Sequence, residues 1–159
     1  ADVGAGTGLF TLDFARAVGP TGAVYAVDLM PTFLEHIAAK AAKAGLKNVT
    51  TVAATASSCN LPAGSVDLAY MSDAYHHIEN PPAYLASLRR ALAPAGELVI
   101  IDFKRIPGES SAWLLDHVRA GKEEVIGELE DAGFEVVADL PILEENYFLR
   151  LRLRADAAP

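Results

Sequence analysis

Short apolar runs alternate with stretches of helical period along the whole sequence. GAVYAVDL, VTTVAA, SVDLAYM and ELVIIDF read as strands, with PTFLEHIAAKAAKAG and NPPAYLASLRRALAPAG between them as helices. Strand followed by helix followed by strand is the sequence form of a parallel sheet covered on both faces. Pro31 suits the first turn of one helix and Gly45 its end, while Asn80 caps the next with Pro81 at its first position. Toward the carboxyl end the pattern changes. KRIPGESSAW reads as a loop, KEEVIGELEDAG as a last helix closed by Gly133, and FEVVADL and NYFLRLRL follow with no room for a helix between them. Those two strands are expected to pair antiparallel, because a parallel crossover takes about a dozen residues.

The glycines at the start add chemistry to this pattern. DVGAGTG leaves a strand and enters a helix near Leu9, so its amide groups and the positive end of that helix face whatever the loop admits. About twenty residues further on, the second strand ends in Asp28, where a carboxylate can accept hydrogen bonds from two ribose hydroxyls. Loop and carboxylate together point to a ligand that contains a nucleoside. The spacing is GxGxG rather than the GxGxxG of dinucleotide sites. None of the five tyrosines is followed four residues on by Lys, the pair a short-chain dehydrogenase needs.

At 159 residues the chain is expected to be one domain, residues 1–159, large enough to bury roughly 68 to 70% of its unfolded surface. A formal net charge of -8 argues against nucleic acid as a partner, since phosphate binding needs a basic face. The single cysteine, Cys59, cannot form an internal disulfide. No apolar run is long enough to span a membrane, and the start of the chain lacks the pattern of a signal peptide. A cytoplasmic location with no membrane partner is the expectation.

On these residues the chain resembles the class I S-adenosylmethionine-dependent methyltransferases, in the small-molecule, type 11-like branch related to ubiquinone- and menaquinone-biosynthesis methyltransferases. DVGAGTG resembles the first motif of the family and VYAVDLMP its acidic second-strand motif. LPAGSVDLAYMSDAYHHIENPPAYLASLRRALAPAGELVIIDF resembles the stretch through its fourth and fifth strands. The resemblance implies a doubly wound, Rossmann-like α/β sheet of seven strands in the order 3-2-1-4-5-7-6, the last antiparallel. It also implies S-adenosylmethionine as cofactor and a small-molecule acceptor, methylated by in-line displacement. Carried over by position, Asp2 and the backbone of Gly4, Ala5, Gly6 and Gly8 hold the methionine moiety, and Asp28 holds the ribose. Leu29 and Met30 pack on the adenine, Thr55 and Ala56 line its edge, and Asp73 and Ala74 fall beside the methyl donor.

The chain departs from the family pattern at three places. Ser57 and Ser58 stand where relatives carry an acidic residue for the adenine amino group. PAG replaces PGG before the fifth strand. The amino-terminal segment with which relatives cover the cofactor is missing, so a truncated domain is expected. Two other readings stay open: a non-catalytic domain that keeps the fold, and a nicotinamide-dependent oxidoreductase, which the glycine spacing disfavours.

The remaining polar residues give weaker signals. Tyr75, His76 and His77, with Asp73, are the candidates for the acceptor side, and none is assigned as catalytic. No metal site is expected, because adjacent histidines in a short turn point apart and Cys59 has no spaced partners. His36 and His117 sit in helical patterns among charged residues and read as surface. Trp113 lies in the loop after the fifth strand, where packing is the simpler role, and KEEVIGELED reads as a solvated helix face.

Overall fold

Described over residues 1–155, the computed structural model gathers the apolar runs into one seven-stranded sheet. Its strands are β1 (Asp2–Val3), β2 (Val24–Asp28), β3 (Val49–Ala53), β4 (Val66–Ser72), β5 (Leu92–Phe103), β6 (Phe134–Asp139) and β7 (Asn146–Leu153). They lie in the order β3-β2-β1-β4-β5-β7-β6. Helices α1 (Thr11–Val18), α2 (Pro31–Lys43), α3 (Pro81–Ala91), α4 (Ala112–His117) and α5 (Lys122–Asp131) connect them, with a 3-10 turn at Tyr75–His77 after β4. Pairs from β3 to β5 are parallel, and β7 runs antiparallel to both β5 and β6. The expected strand order and the expected antiparallel closing pair are both present.

Burial follows the pairing. Strand β2 is covered on both faces, so its run is apolar throughout. Ala26 packs with Ala5 and Ile37 on one side, and Val27 joins the larger core on the other. That larger core sets Leu85 and Leu88 of α3 and Leu129 of α5 against Leu98 and Ile100 of β5. Strand β7 instead shows period two. Leu149 and Leu151 are buried while Arg150 and Arg152 point outward and pair with Glu97 and Glu135 on the neighbouring strands. Among the described residues no helix is long and apolar enough to cross a membrane.

The structure differs from the sequence reading in three segments. Helix α1 begins at Thr11, after the glycine loop has completed its turns, rather than at Leu9. Leu92 to Gly96 is extended and belongs to β5, although Pro94 and Gly96 signal a turn. Ala95 is not among the residues with positive φ, so alanine in PAG carries no backbone penalty. The expected loop KRIPGESSAW gives up its last two residues, Ala112 and Trp113, to α4, which runs on to His117; its six residues are too short for a periodic signal but are capped by Ser111 Oγ, which accepts from the Leu114 amide at 3.3 Å.

Chain direction now places the site. Parallel strands bring their carboxyl ends to one edge, and the connection leaving β1 runs to β2 on one side while that leaving β4 runs to β5 on the other. A crevice forms where those connections diverge.

Candidate functional site

The glycine loop is fastened to that edge by main-chain bonds. The amides of Gly4 and Ala5 both donate to the Val27 carbonyl, at 2.8 and 3.0 Å, and Gly8 N closes a turn on Ala5 O at 2.8 Å. From α2, Lys40 Nζ donates to the carbonyls of Thr7 and Gly8, at 3.0 and 3.3 Å. Gly6 is at the apex with φ +53, and a Cβ built there would meet nothing within 4 Å, so the loop presents bare backbone to open space. Its amide donates to Asp28 Oδ2 at 2.8 Å, and Met30 N donates to Asp28 Oδ1 at 2.9 Å. Each carboxylate oxygen has one protein donor and keeps capacity for another. A diol can therefore bond to Asp28 without displacing either amide.

A cavity of about 420 Å³ lies in front of the loop. Gly4, Gly6, Asp28, Leu29, Met30, Thr55, Ala56, Asp73 and Ala74, all expected to hold the cofactor, line it. Asp2, Ala5 and Gly8 stand behind it. Asp2 is buried, with Oδ2 accepting from Thr11 Oγ1, and burial raises its carboxyl above the ordinary range against that hydrogen bond. Ala5 packs on Ala26 and Ile37, and a Cβ on Gly8 would lie 2.7 Å from Ile37 Cγ1. These three residues hold the loop in shape from the core side. Thr55 and Ser58 bridge across a tight turn that puts Thr55 and Ala56 on the wall and leaves Ser57 and Ser58 off it. Phe33, Met71 and Tyr84 line the cavity without having been foreseen. Phe33 follows Met30 by three residues, a helical spacing that shares a face and was available to find it. Tyr84 gave no sequence signal.

Asp73 adopts φ +49, one of two non-glycine residues with positive φ among the described residues. Its amide donates to Ile101 O at 2.9 Å, and its Oδ1 accepts from Asn146 Nδ2 at 2.7 Å. A left-handed aspartate at the end of a strand carries backbone strain that its surroundings must hold in place. Burial and the nearby Asp102 push its carboxyl above the usual range, against the Asn146 bond.

The next residues turn away in different directions. Tyr75 is buried, and its hydroxyl donates to Glu128 Oε2 at 2.8 Å, so it belongs to the core and not to the cavity wall. His76 is buried with Nδ1 at 2.7 Å from Asp102 Oδ1, and its amide donates to Asp102 Oδ2 at 3.0 Å. His77 lines the cavity. The two histidine rings do not point apart. Their centroids are 4.0 Å from each other, and His117 joins them at 5.0 and 5.2 Å. His117 is exposed as read, but the 3-10 turn is too tight to separate its neighbours, and α4 returns His117 to them. Trp113 stacks on His117 with ring centroids 4.7 Å apart. Asp102 escaped the sequence reading. Its signal was the one that revealed Asp28, a carboxylate where an apolar strand ends.

Comparison with known proteins identifies the class. The methyltransferase domain family matches residues 1–100, and the chain belongs to it. The ubiquinone/menaquinone biosynthesis C-methyltransferase UbiE of Shewanella pealeana is 31% identical over 105 residues, which cover 65% of this chain and 42% of the relative. The chain thus spans less than half of that curated relative. A crystal structure of an S-adenosylmethionine-dependent methyltransferase from Aquifex aeolicus superposes with a TM-score of 0.85 at 29% identity, covering 94% of this chain and 79% of the other. The cyclase SpnF superposes with a TM-score of 0.75 at 23% identity, covering 86% and 50%, a likeness of fold alone.

Proposed function

We propose that the cavity binds S-adenosylmethionine and that the chain transfers its methyl group to a small molecule entering beside Asp73 and His77. One observation carries this reading: the Asp28 carboxylate and the Gly6 amide meet in a 2.8 Å hydrogen bond at the open wall of the cavity. A ribose and an adjoining main-chain-bound group fit that pair. Asp28 takes the ribose hydroxyls, the apolar side chains of Leu29, Met30 and Phe33 flank the base, and the loop backbone approaches the rest of the ligand. When bound, the sulfonium supplies an already activated methyl group, so the protein's task is alignment of donor and acceptor at close range. A small-molecule acceptor follows the biosynthetic relatives, which are named for quinone methylation. Residues 1–159 act here as a single cofactor-binding domain. The fully buried free thiol of Cys59 suits a cytoplasmic setting.

Calorimetry with S-adenosylhomocysteine and with NAD tests the reading. Saturable binding of S-adenosylhomocysteine with no binding of NAD is expected, and the reverse result would place the chain among nicotinamide enzymes. Methyl transfer to an identified acceptor then separates an enzyme from a domain that only binds.

A further inference from the structure

Three imidazoles converge beside the cavity from two separate elements, His76 and His77 from the 3-10 turn and His117 from the end of α4. One nitrogen of each lies within 4.8 Å of the others. Two features set the group apart from ordinary aromatic packing. His76 Nδ1 lies 2.7 Å from Asp102 Oδ1, where its N–H donates to the carboxylate, so the ring's lone pair is on Nε2. Nε2 is buried and has no hydrogen-bond partner among the described residues. The side chain of His76 is 3% exposed, and an imidazole nitrogen shut away without a donor is rare in folded proteins. An imidazole held through its far nitrogen by a carboxylate is also how proteins aim a histidine at a metal ion.

We propose that His76, His77 and His117 bind a zinc ion, with Asp102 as the positioning residue for His76. Three neutral imidazoles without a thiolate suit Zn²⁺ and its first-row neighbours, whereas Mg²⁺ and Ca²⁺ take oxygen ligands. Zinc–nitrogen bonds of about 2.0–2.1 Å place tetrahedral ligand atoms about 3.4 Å from one another, so the group must tighten on binding. The exposed His77 and His117 are free to make that movement while His76 stays fixed. Three protein ligands leave a fourth position open, and His77 sets that position at the cavity wall. An acceptor oxygen bound there would lose its proton more readily. That consequence rests on the methyl-transfer reading, whereas the metal site stands without it.

The test uses tag-free protein stripped with chelator and titrated with zinc chloride in the absence of S-adenosylhomocysteine. Calorimetry should show one equivalent bound, and cobalt chloride should give the visible bands of a four-coordinate ion. Trp113, the chain's one tryptophan, stacks on His117, so cobalt should quench its fluorescence in step. His77→Gln and His117→Gln should each weaken zinc binding by about 100-fold or more, and Asp102→Asn by about 10- to 100-fold. His36→Gln should leave it unchanged. His117 is exposed, so its variant keeps the fold, as circular dichroism will verify. Wild-type protein that takes up no zinc at equimolar concentration, or a folded His117→Gln variant that binds zinc as tightly as wild type, would overturn the proposal.

Discussion

Asp28 and Gly6 form one unit, and their variants should report on it in different ways. Asp28→Ala removes a charged acceptor from the cavity wall and from the Gly6 amide together, so affinity for S-adenosylhomocysteine should fall about tenfold or more. Calorimetry on the folded variant measures this, and an unchanged Kd would remove Asp28 from the site. Gly6→Val should abolish binding, because a branched side chain resists φ +53 and fills the open space before the loop. Both residues were legible in the sequence, since a strand end, a glycine loop and a helix start are local patterns. Asp73 was legible as a position but not as a conformation. At φ +49, Asp73→Val should cost about 1–3 kcal/mol in denaturant unfolding, while Asp73→Gly loses the Asn146 bond but relieves the backbone. A glycine variant less stable than the valine variant would show that strain is absent there.

Elements were readable where their period was long and hidden where their partners were distant. Helices α2 and α3 announced themselves through Pro31, Gly45, Asn80 and Pro81, and Asn80 Oδ1 accepts from the Ala83 amide at 3.4 Å as a cap should. Nothing local said that α4 and the 3-10 turn would meet, because that contact depends on the path of the chain after β5. Helix α5 shows the same limit. Its charged run reads as a solvated helix face, with Val125 and Leu129 buried on the other, yet Glu128 reaches back to Tyr75 and to the Arg119 guanidinium. Burial pushes the Glu128 carboxyl upward, but the bonds from Arg119 and Tyr75 outweigh it and hold the carboxyl below its ordinary range. A group with a depressed folded pKa stabilises above its unfolded pKa and loses that contribution as pH falls through the folded value. Thermal stability should therefore drop on acidification from about pH 5 downward. Glu128→Gln should be less stable at neutral pH and should show a shallower acid slope. Parallel melting curves for variant and wild type from neutral to acid pH would exclude this link between α5 and the 3-10 turn.

At the scale of the whole molecule, strand order followed from the resemblance and from the missing helix between β6 and β7, but the fold leaves the chemistry open. SpnF, a cyclase, shares the sheet, so the sheet alone does not select methyl transfer. The ligand must be what discriminates, and ligand-linked stability reads it across the entire domain. Cofactor bound in the proposed cavity would touch the glycine loop, Asp28 at the end of β2 and Thr55 and Ala56 in the turn after β3. A ligand that binds only the folded state stabilises it by about 2.7 kcal/mol at a hundred times its Kd. For a chain of this size that amounts to a rise of about 5 to 10 °C in Tm. S-adenosylhomocysteine at that concentration should give such a shift in differential scanning calorimetry, and NAD at the same concentration should give none. Asp28→Ala should need about tenfold more S-adenosylhomocysteine for the same rise, because its weakened Kd enters the same logarithm. If NAD and S-adenosylhomocysteine raised Tm equally, the cavity would not be selecting its ligand through the Asp28–Gly6 pair, and the methyltransferase reading of this domain would fall with it.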